Sequence, residues 1–121
     1  GETVLLVADE SMVRRMTEKS LTHFGFHVIA APCGEDALEL WKRDRESVDV
    51  LVTDVVMPGM NGSQLAEQLL LERPELRVIF TSGYTKEVVT SQGALGANVQ
   101  FMAKPYTPEM LAKNIRFLLD R

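Results

Sequence analysis

The chain has 121 residues, 45 % of them hydrophobic and 25 % charged, with a formal net charge of −4. That length suits one domain that can bury a core without disulfides or structural metal. The balance excludes disorder, low complexity and the basic face of a dedicated nucleic-acid binder. The single cysteine, Cys33, rules out an internal disulfide framework and points to a reducing, cytoplasmic setting. No apolar run approaches the ~18 residues that a bilayer span requires, and no signal-peptide pattern opens the chain. No membrane contact by this domain is expected, although a parent chain carrying an anchor would fit the same sequence. Gly1 reads as an expression scar.

Apolar bursts alternate with amphipathic stretches. Thr3–Ala8 is a short apolar run without polar alternation, which predicts a strand buried on both faces. Ser11–Phe24 follows as a helix with Val13, Met16, Thr17, Ser20, Leu21 and Phe24 on one face, stopped by Gly25. Val28–Ala31 is a second strand, and Glu35–Lys42 a second helix with Ala37, Leu38 and Trp41 at helical spacing. Val48–Thr53 is the most apolar strand; it ends on Asp54 and leads into a loop dense in breakers, Pro58-Gly59-Met60-Asn61-Gly62. Ser63–Glu72 predicts a third helix, closed by Pro74, and Val78–Thr81 a fourth strand ending at Ser82-Gly83. Lys86–Gln92 is a weak helix rich in Thr, Ser and Val. Gln100–Ala103 is a fifth strand, and Thr107-Pro108 offers an N-cap followed by Pro for a last helix with Met110, Leu111, Ile115, Leu118 and Leu119. Five strands alternating with five helices through short links predict parallel βαβ units, helices on both faces, in one α/β domain spanning 1–121. The last helix uses up the chain, so no effector domain is expected within it.

In an open parallel sheet, ligands bind beyond the carboxyl ends of the strands. Strand one ends in Asp9-Glu10, strand three in Asp54, strand four in Ser82 and strand five in Lys104. Two carboxylates, a hydroxyl and an ammonium thus converge on one edge. Asp9 and Asp54 brought together repel, and a hard divalent cation such as Mg²⁺, keeping several waters, relieves that repulsion. Asp54 can then attack phosphorus as a carboxylate nucleophile, forming an acyl phosphate. The cation, the Lys104 ammonium and the Ser82 hydroxyl would share neutralisation of the phosphoryl oxygens, and Gly83 would keep the approach open. Each residue has a plainer alternative: Asp9 as a helix cap, Asp54 and Ser82-Gly83 as turn formers, Lys104 as a solvated edge charge. Those alternatives do not explain why all four fall at strand carboxyl ends.

The segment Leu51-Val52-Thr53-Asp54-Val55-Val56-Met57-Pro58-Gly59-Met60-Asn61-Gly62, the run Val78–Gly83, and Phe101-Met102-Ala103-Lys104-Pro105-Tyr106 resemble receiver domains of bacterial two-component signalling, the CheY-like phosphoacceptor fold. The resemblance covers the whole chain. It implies a flavodoxin-like doubly wound (βα)5 sandwich, with a five-stranded parallel sheet of order 2-1-3-4-5. It also implies that Asp54 is the phosphorylated aspartate. Asp9, Asp54 and the Val56 backbone carbonyl would ligate Mg²⁺ (or Mn²⁺), with Glu10 as an additional candidate. Lys104 would pair with the phosphoryl oxygens, and Ser82 would be the switch hydroxyl. Phe101 would be the aromatic that turns inward with it, and Lys104-Pro105 is often cis in such domains. The donor would be a phosphohistidine on a histidine kinase or a histidine phosphotransfer domain. The output would leave through the fourth helix, fifth strand and fifth helix, toward a downstream protein or a same-chain domain; Val88, Val89 and Tyr106 are candidates for that face, with core packing the commoner reading of each.

One position departs from the family pattern. Two acids usually end strand one, and here the first is Ala8, which predicts weaker Mg²⁺ binding through the retained Asp9. Glu10 is better read as charge complementing the helix dipole than as a compensating ligand. The wording of Gly1-Glu2-Thr3-Val4-Leu5-Leu6-Val7, Phe80-Thr81-Ser82-Gly83-Tyr84-Thr85 and Lys104-Pro105-Tyr106-Thr107-Pro108 is closest to receivers fused to hybrid sensor histidine kinases, so the chain reads as one switch module cut from a longer protein.

The remaining features favour packing. Cys33 suits a small-residue turn, His23 and His27 lack ligand spacing to a metal, and Trp41 is expected to pack the second helix on the sheet. Two other functions compete. A pseudo-receiver that binds a partner without being phosphorylated draws its support from Ala8. An aspartyl-phosphate phosphatase would need a second Asp two residues after the nucleophile, where Val56 stands. Dinucleotide binding fails because no G-x-G-x-x-G follows a strand.

Overall fold

The most apolar segments are the ones that lie in the middle of the molecule. A computed structural model describes residues 1–82 and 98–120. Strand β1 (Thr3–Val7) is buried at every residue, as is β3 (Val48–Asp54) at all but Asp49. The other elements are α1 (Ser11–His23), β2 (His27–Ala31), α2 (Gly34–Asp44), α3 (Gly62–Glu72), β4 (Arg77–Ser82), β5 (Val99–Ala103) and α4 (Pro108–Leu119). The weak helix expected over Lys86–Gln92 lies outside the described residues, as do Gly83, Val88 and Val89. The five strands are parallel and ordered β2-β1-β3-β4-β5, the expected order.

Strand alternation sorts the core into two layers. Leu5, Val7, Leu51, Val78 and Phe80 face α2 and α3, where they meet Ala37, Trp41, Leu65 and Leu69. Val4, Leu6, Val50, Val52, Ile79 and Met102 face α1 and α4, where they meet Leu21, Leu111, Ile115 and Leu118. Trp41 is fully buried in the first layer, with the Arg73 guanidinium 5.5 Å from its ring centroid. Arg73 also closes α3 onto the sheet by donating to the Val48 carbonyl at 2.6 Å.

Local signals account for the helix ends. Gly25 holds φ +98°, the left-handed conformation that ends α1 without a Cβ penalty. Asn61 accepts from the Gln64 N–H while the Gln64 side chain accepts from the Asn61 N–H, a reciprocal cap that starts α3. Thr107 Oγ1 accepts from the Met110 N–H at 3.1 Å, with Pro108 at the first helical position. At the amino end, Glu2 and Arg116 of α4 form two hydrogen bonds at 2.7 and 3.0 Å, which hold the Glu2 carboxyl down at about 2.

The α1 stripe is narrower than its periodicity suggested. Thr17 and Leu21 are buried, but Met16 is 63 % exposed, and Val13 and Phe24 are exposed too. Leu21 clusters with Leu111, Ile115 and Leu118 of α4, and Val13, Met16 and Phe24 are not part of that cluster.

Candidate functional site

Every candidate residue except Phe101 lies at or just beyond the carboxyl ends of the strands. Asp54 ends β3 and is 7 % exposed. A buried carboxylate needs compensating partners, and two converge on Asp54 Oδ1. The Lys104 ammonium, from the turn after β5, lies 3.1 Å away, and the Thr81 hydroxyl donates at 2.6 Å. Among the described residues, Oδ2 has no such partner. The Lys104-Pro105 peptide is cis, and the Lys104 N–H donates to the Ser82 carbonyl at 2.9 Å.

Thr81 supplies a hydroxyl contact to Asp54 that the sequence reading did not single out. Asp54 and Thr81 are register partners across β3 and β4, so their side chains emerge on the same face of the sheet. That face belongs to α1 and α4. Ser82, the next residue, is buried on the opposite-facing row with Phe80, and Phe101 stacks on Phe80 with ring centroids 5.3 Å apart. The alternation of a strand, applied outward from Asp54, was the signal available.

Tyr106 follows the packing reading rather than the output-face one: its ring packs against the α1–α4 layer, with the phenol near Thr81 and Asp54. Burial, reinforced by the Asp54 charge, pushes the phenol above its ordinary pKa and keeps it protonated. Beside it opens a groove of about 530 Å³, lined by Glu10, Val13, Met16, Lys104, Tyr106 and Pro108 among others.

Asp9 and Glu10 follow β1 on the surface. Glu10 occupies the N-cap position of α1 without a side-chain capping bond, so neither acid caps the helix through its side chain. Ala8 is buried and continues the β1 line next to Asp54, since Val7 pairs with Thr53. Its carbonyl accepts from Arg14 Nη1 at 2.7 Å, which brings a cation to this strand end.

The loop after Asp54 is held at several points. Val55 and Met57 are buried, whereas the Val56 side chain is 60 % exposed. The Gly62 N–H donates to the Val55 carbonyl at 2.8 Å, and Thr53 Oγ1 donates to the Asp54 carbonyl at 2.9 Å. Glu35, at the start of α2, accepts from the Met60 N–H at 3.1 Å, and its carboxyl is lowered by this and its own backbone N–H. Gly59 beside it holds φ +75°, where a Cβ would come within 2.9 Å of Glu35 Oε2. Glu35 is therefore a second residue of the site region that the sequence did not single out.

The donor set suits a hard cation. Asp9 and Asp54 stand at adjacent strand ends, Asp54 Oδ2 carries no partner among the described residues, and the exposed Val56 segment lies next to them. Among the described residues no trio of His, Cys, Asp and Glu gathers to hold a metal. A cation at this edge would thus meet few protein ligands and keep several waters, which fits Mg²⁺ or Mn²⁺ and does not fit the closed nitrogen and sulfur sites of zinc.

Comparison with known proteins agrees with this geometry. Residues 4–116 match the family model described as the response regulator receiver domain. The chain is 35 % identical over 119 residues to the sensor kinase CckA of Brucella abortus, covering 98 % of this chain and 13 % of that protein. It superposes on the crystal structure of the receiver domain from the hybrid histidine kinase CckA with TM-score 0.83 and 30 % identity, over 97 % of this chain and 98 % of that one. The Vibrio cholerae chemotaxis protein CheY4 is similar at TM-score 0.89 and 28 % identity, over 98 % of both chains.

Proposed function

We propose, for a chain that belongs to the response regulator receiver domain family, that Asp54 accepts a phosphoryl group from a phosphohistidine donor and that 1–121 acts as one switch unit. The observation that carries this reading is the state of the Asp54 carboxylate. It is nearly buried, two donors hold Oδ1, and among the described residues none holds Oδ2. Oδ2 bonds phosphorus while the P–N bond of the donor breaks, and the departing imidazole nitrogen keeps the electron pair and takes up a proton. The Lys104 ammonium is close enough to Asp54 to follow the charge onto the phosphoryl oxygens.

Mg²⁺ or Mn²⁺ would supply charge neutralisation for the transferring phosphoryl group. Asp9, Asp54 and the Val56 carbonyl would hold it; Glu10, which lines the groove over α1, is the weaker candidate. Ala8 removes one carboxylate from this set. Ala8→Asp is expected to tighten Mg²⁺ binding roughly tenfold, as outer-shell carboxylates commonly do, in a fluorescence or calorimetric titration; an unchanged affinity would count against the account.

Ser82 and Phe101 are assigned the relay. Both lie on the sheet face opposite Asp54, and Phe101 is half-buried against Phe80, so a shift of Ser82 toward the phosphoryl group would open space beside that ring. The readout face would comprise the fourth predicted helix, β5 and α4. Similarity to the CckA proteins favours an origin in a hybrid histidine kinase, with a kinase or phosphotransfer domain as donor. The exposed Met12 and Met16 on α1, next to the reacting edge, suit such a partner.

The family consists of regulatory switches rather than stand-alone enzymes, and the exposed Val56 offers no general acid where a phosphatase would need one. A pseudo-receiver is favoured by Ala8 alone. Incubation with Mg²⁺ and acetyl phosphate, followed by intact mass, separates the readings. A gain of one phosphoryl group in the wild type and none in Asp54→Asn supports the switch; no gain in either promotes the scaffold.

A further inference from the structure

We propose that the Thr81 hydroxyl sets how long the acyl phosphate on Asp54 survives. The inference rests on the phosphoacceptor reading and adds a positioning residue to it.

Thr81 lies one residue before the hydroxyl that the family resemblance assigns to switching, and its hydroxyl donates to the Asp54 carboxylate. It is 2 % exposed, so no water competes readily for its 2.6 Å bond to Oδ1. An ionised carboxylate can only accept, so Thr81 spends its one hydrogen on Asp54. That hydrogen bond is charge-assisted for as long as Asp54 is ionised.

The consequence is asymmetric. With Lys104 and Thr81 both on Oδ1, phosphorus bonds to Oδ2, and Oδ1 becomes the carbonyl oxygen of the acyl phosphate. Hydrolysis breaks the P–Oδ2 bond: water adds to phosphorus and loses a proton, and Asp54 leaves as a carboxylate that spreads charge onto Oδ1. Phosphoryl transfer is loose, with most of the charge on the leaving group and little bonding to the nucleophile. The Thr81 hydrogen bond therefore strengthens as Asp54 departs, and it speeds hydrolysis. In the forward step Asp54 is the entering group, and the same bond matters little.

The test is the decay of phosphorylated protein after acetyl phosphate is removed, beside the rate of uptake, for wild type, Thr81→Val, Thr81→Ser and Thr81→Ala. Hydrogen bonds to charged groups exceed those to neutral ones by a margin that predicts a roughly fivefold longer half-life for Thr81→Val. Uptake should stay within about twofold of wild type, given the loose transition state. Thr81→Ser, which keeps the hydroxyl, should decay like wild type. A merely structural role for Thr81 would slow uptake along with decay. An unchanged or shorter half-life for Thr81→Val overturns the proposal. If that variant does not fold, Thr81→Ala decides it, since a wild-type half-life without the hydroxyl overturns the proposal equally. A wild type that takes up no phosphoryl group fails the phosphoacceptor reading itself and the proposal with it, and is distinguished by the missing mass gain.

Discussion

Lys104→Ala is expected to slow phosphoryl uptake from acetyl phosphate by about 100-fold, the usual cost of removing one preorganised charge-stabilising donor. The ammonium lies 3.1 Å from Asp54 Oδ1 on a side chain that is 35 % exposed, so the fold does not depend on it. Thr81 keeps its bond to Oδ1, and the thermal midpoint should move little. Lys104→Arg should not restore the rate, because a planar fork cannot replace a compact point charge 3.1 Å from the carboxylate. Stopped reactions read by intact mass give the rates. Uptake within a few-fold of wild type would remove Lys104 from the chemistry and leave it as an edge charge.

Gly62→Ala is expected to cost on the order of 2–3 kcal/mol, at the upper end of what overpacking does in a tight site. A Cβ at this position would lie 2.1 Å from the Asp54 carbonyl oxygen and 3.1 Å from the Val55 Cα. Both neighbours are backbone of β3 and its exit, so neither can swing aside. The start of α3 is pinned as well, by the Gly62 N–H on Val55 and by the Asn61–Gln64 cap. Relief must come from moving Asp54 or the loop behind it. Thermal unfolding should show a midpoint lowered by roughly 6–12 °C, and a variant as stable as wild type would mean the loop is far softer than this packing indicates. The same displacement should weaken Mg²⁺ binding even in the folded fraction, since the Val56 carbonyl lies in the segment that shifts.

Much of this was legible in the chain. Buried runs such as Val48–Thr53 are too short for helices and too apolar for surface strands, so the parallel sheet followed from them, and the strand ends then located Asp9, Asp54, Ser82 and Lys104. The order of strands came from resemblance rather than from periodicity, and the observed order agrees. Three things escaped for physical reasons. Helical periodicity marks the centre of an apolar stripe but not its width, so Met16 was grouped with Leu21 although only the latter clusters with α4. Two adjacent hydroxyls at a strand end point to opposite faces, and only the register of β3 against β4 shows that Thr81, not Ser82, shares a face with Asp54. Glu35 acts on Met60, 25 residues away, through a single backbone N–H, and nothing local in either segment signals that contact.

The most direct measurement is to find where the phosphoryl group sits. Borohydride delivers hydride to the carbonyl carbon of an acyl phosphate, phosphate leaves, and aspartate is converted to homoserine. Wild-type protein treated with Mg²⁺ and acetyl phosphate, reduced in this way, digested and mapped by tandem mass spectrometry should carry homoserine at position 54 and nowhere else. An intact Asp54, or homoserine at another carboxylate such as Asp9, would contradict the account.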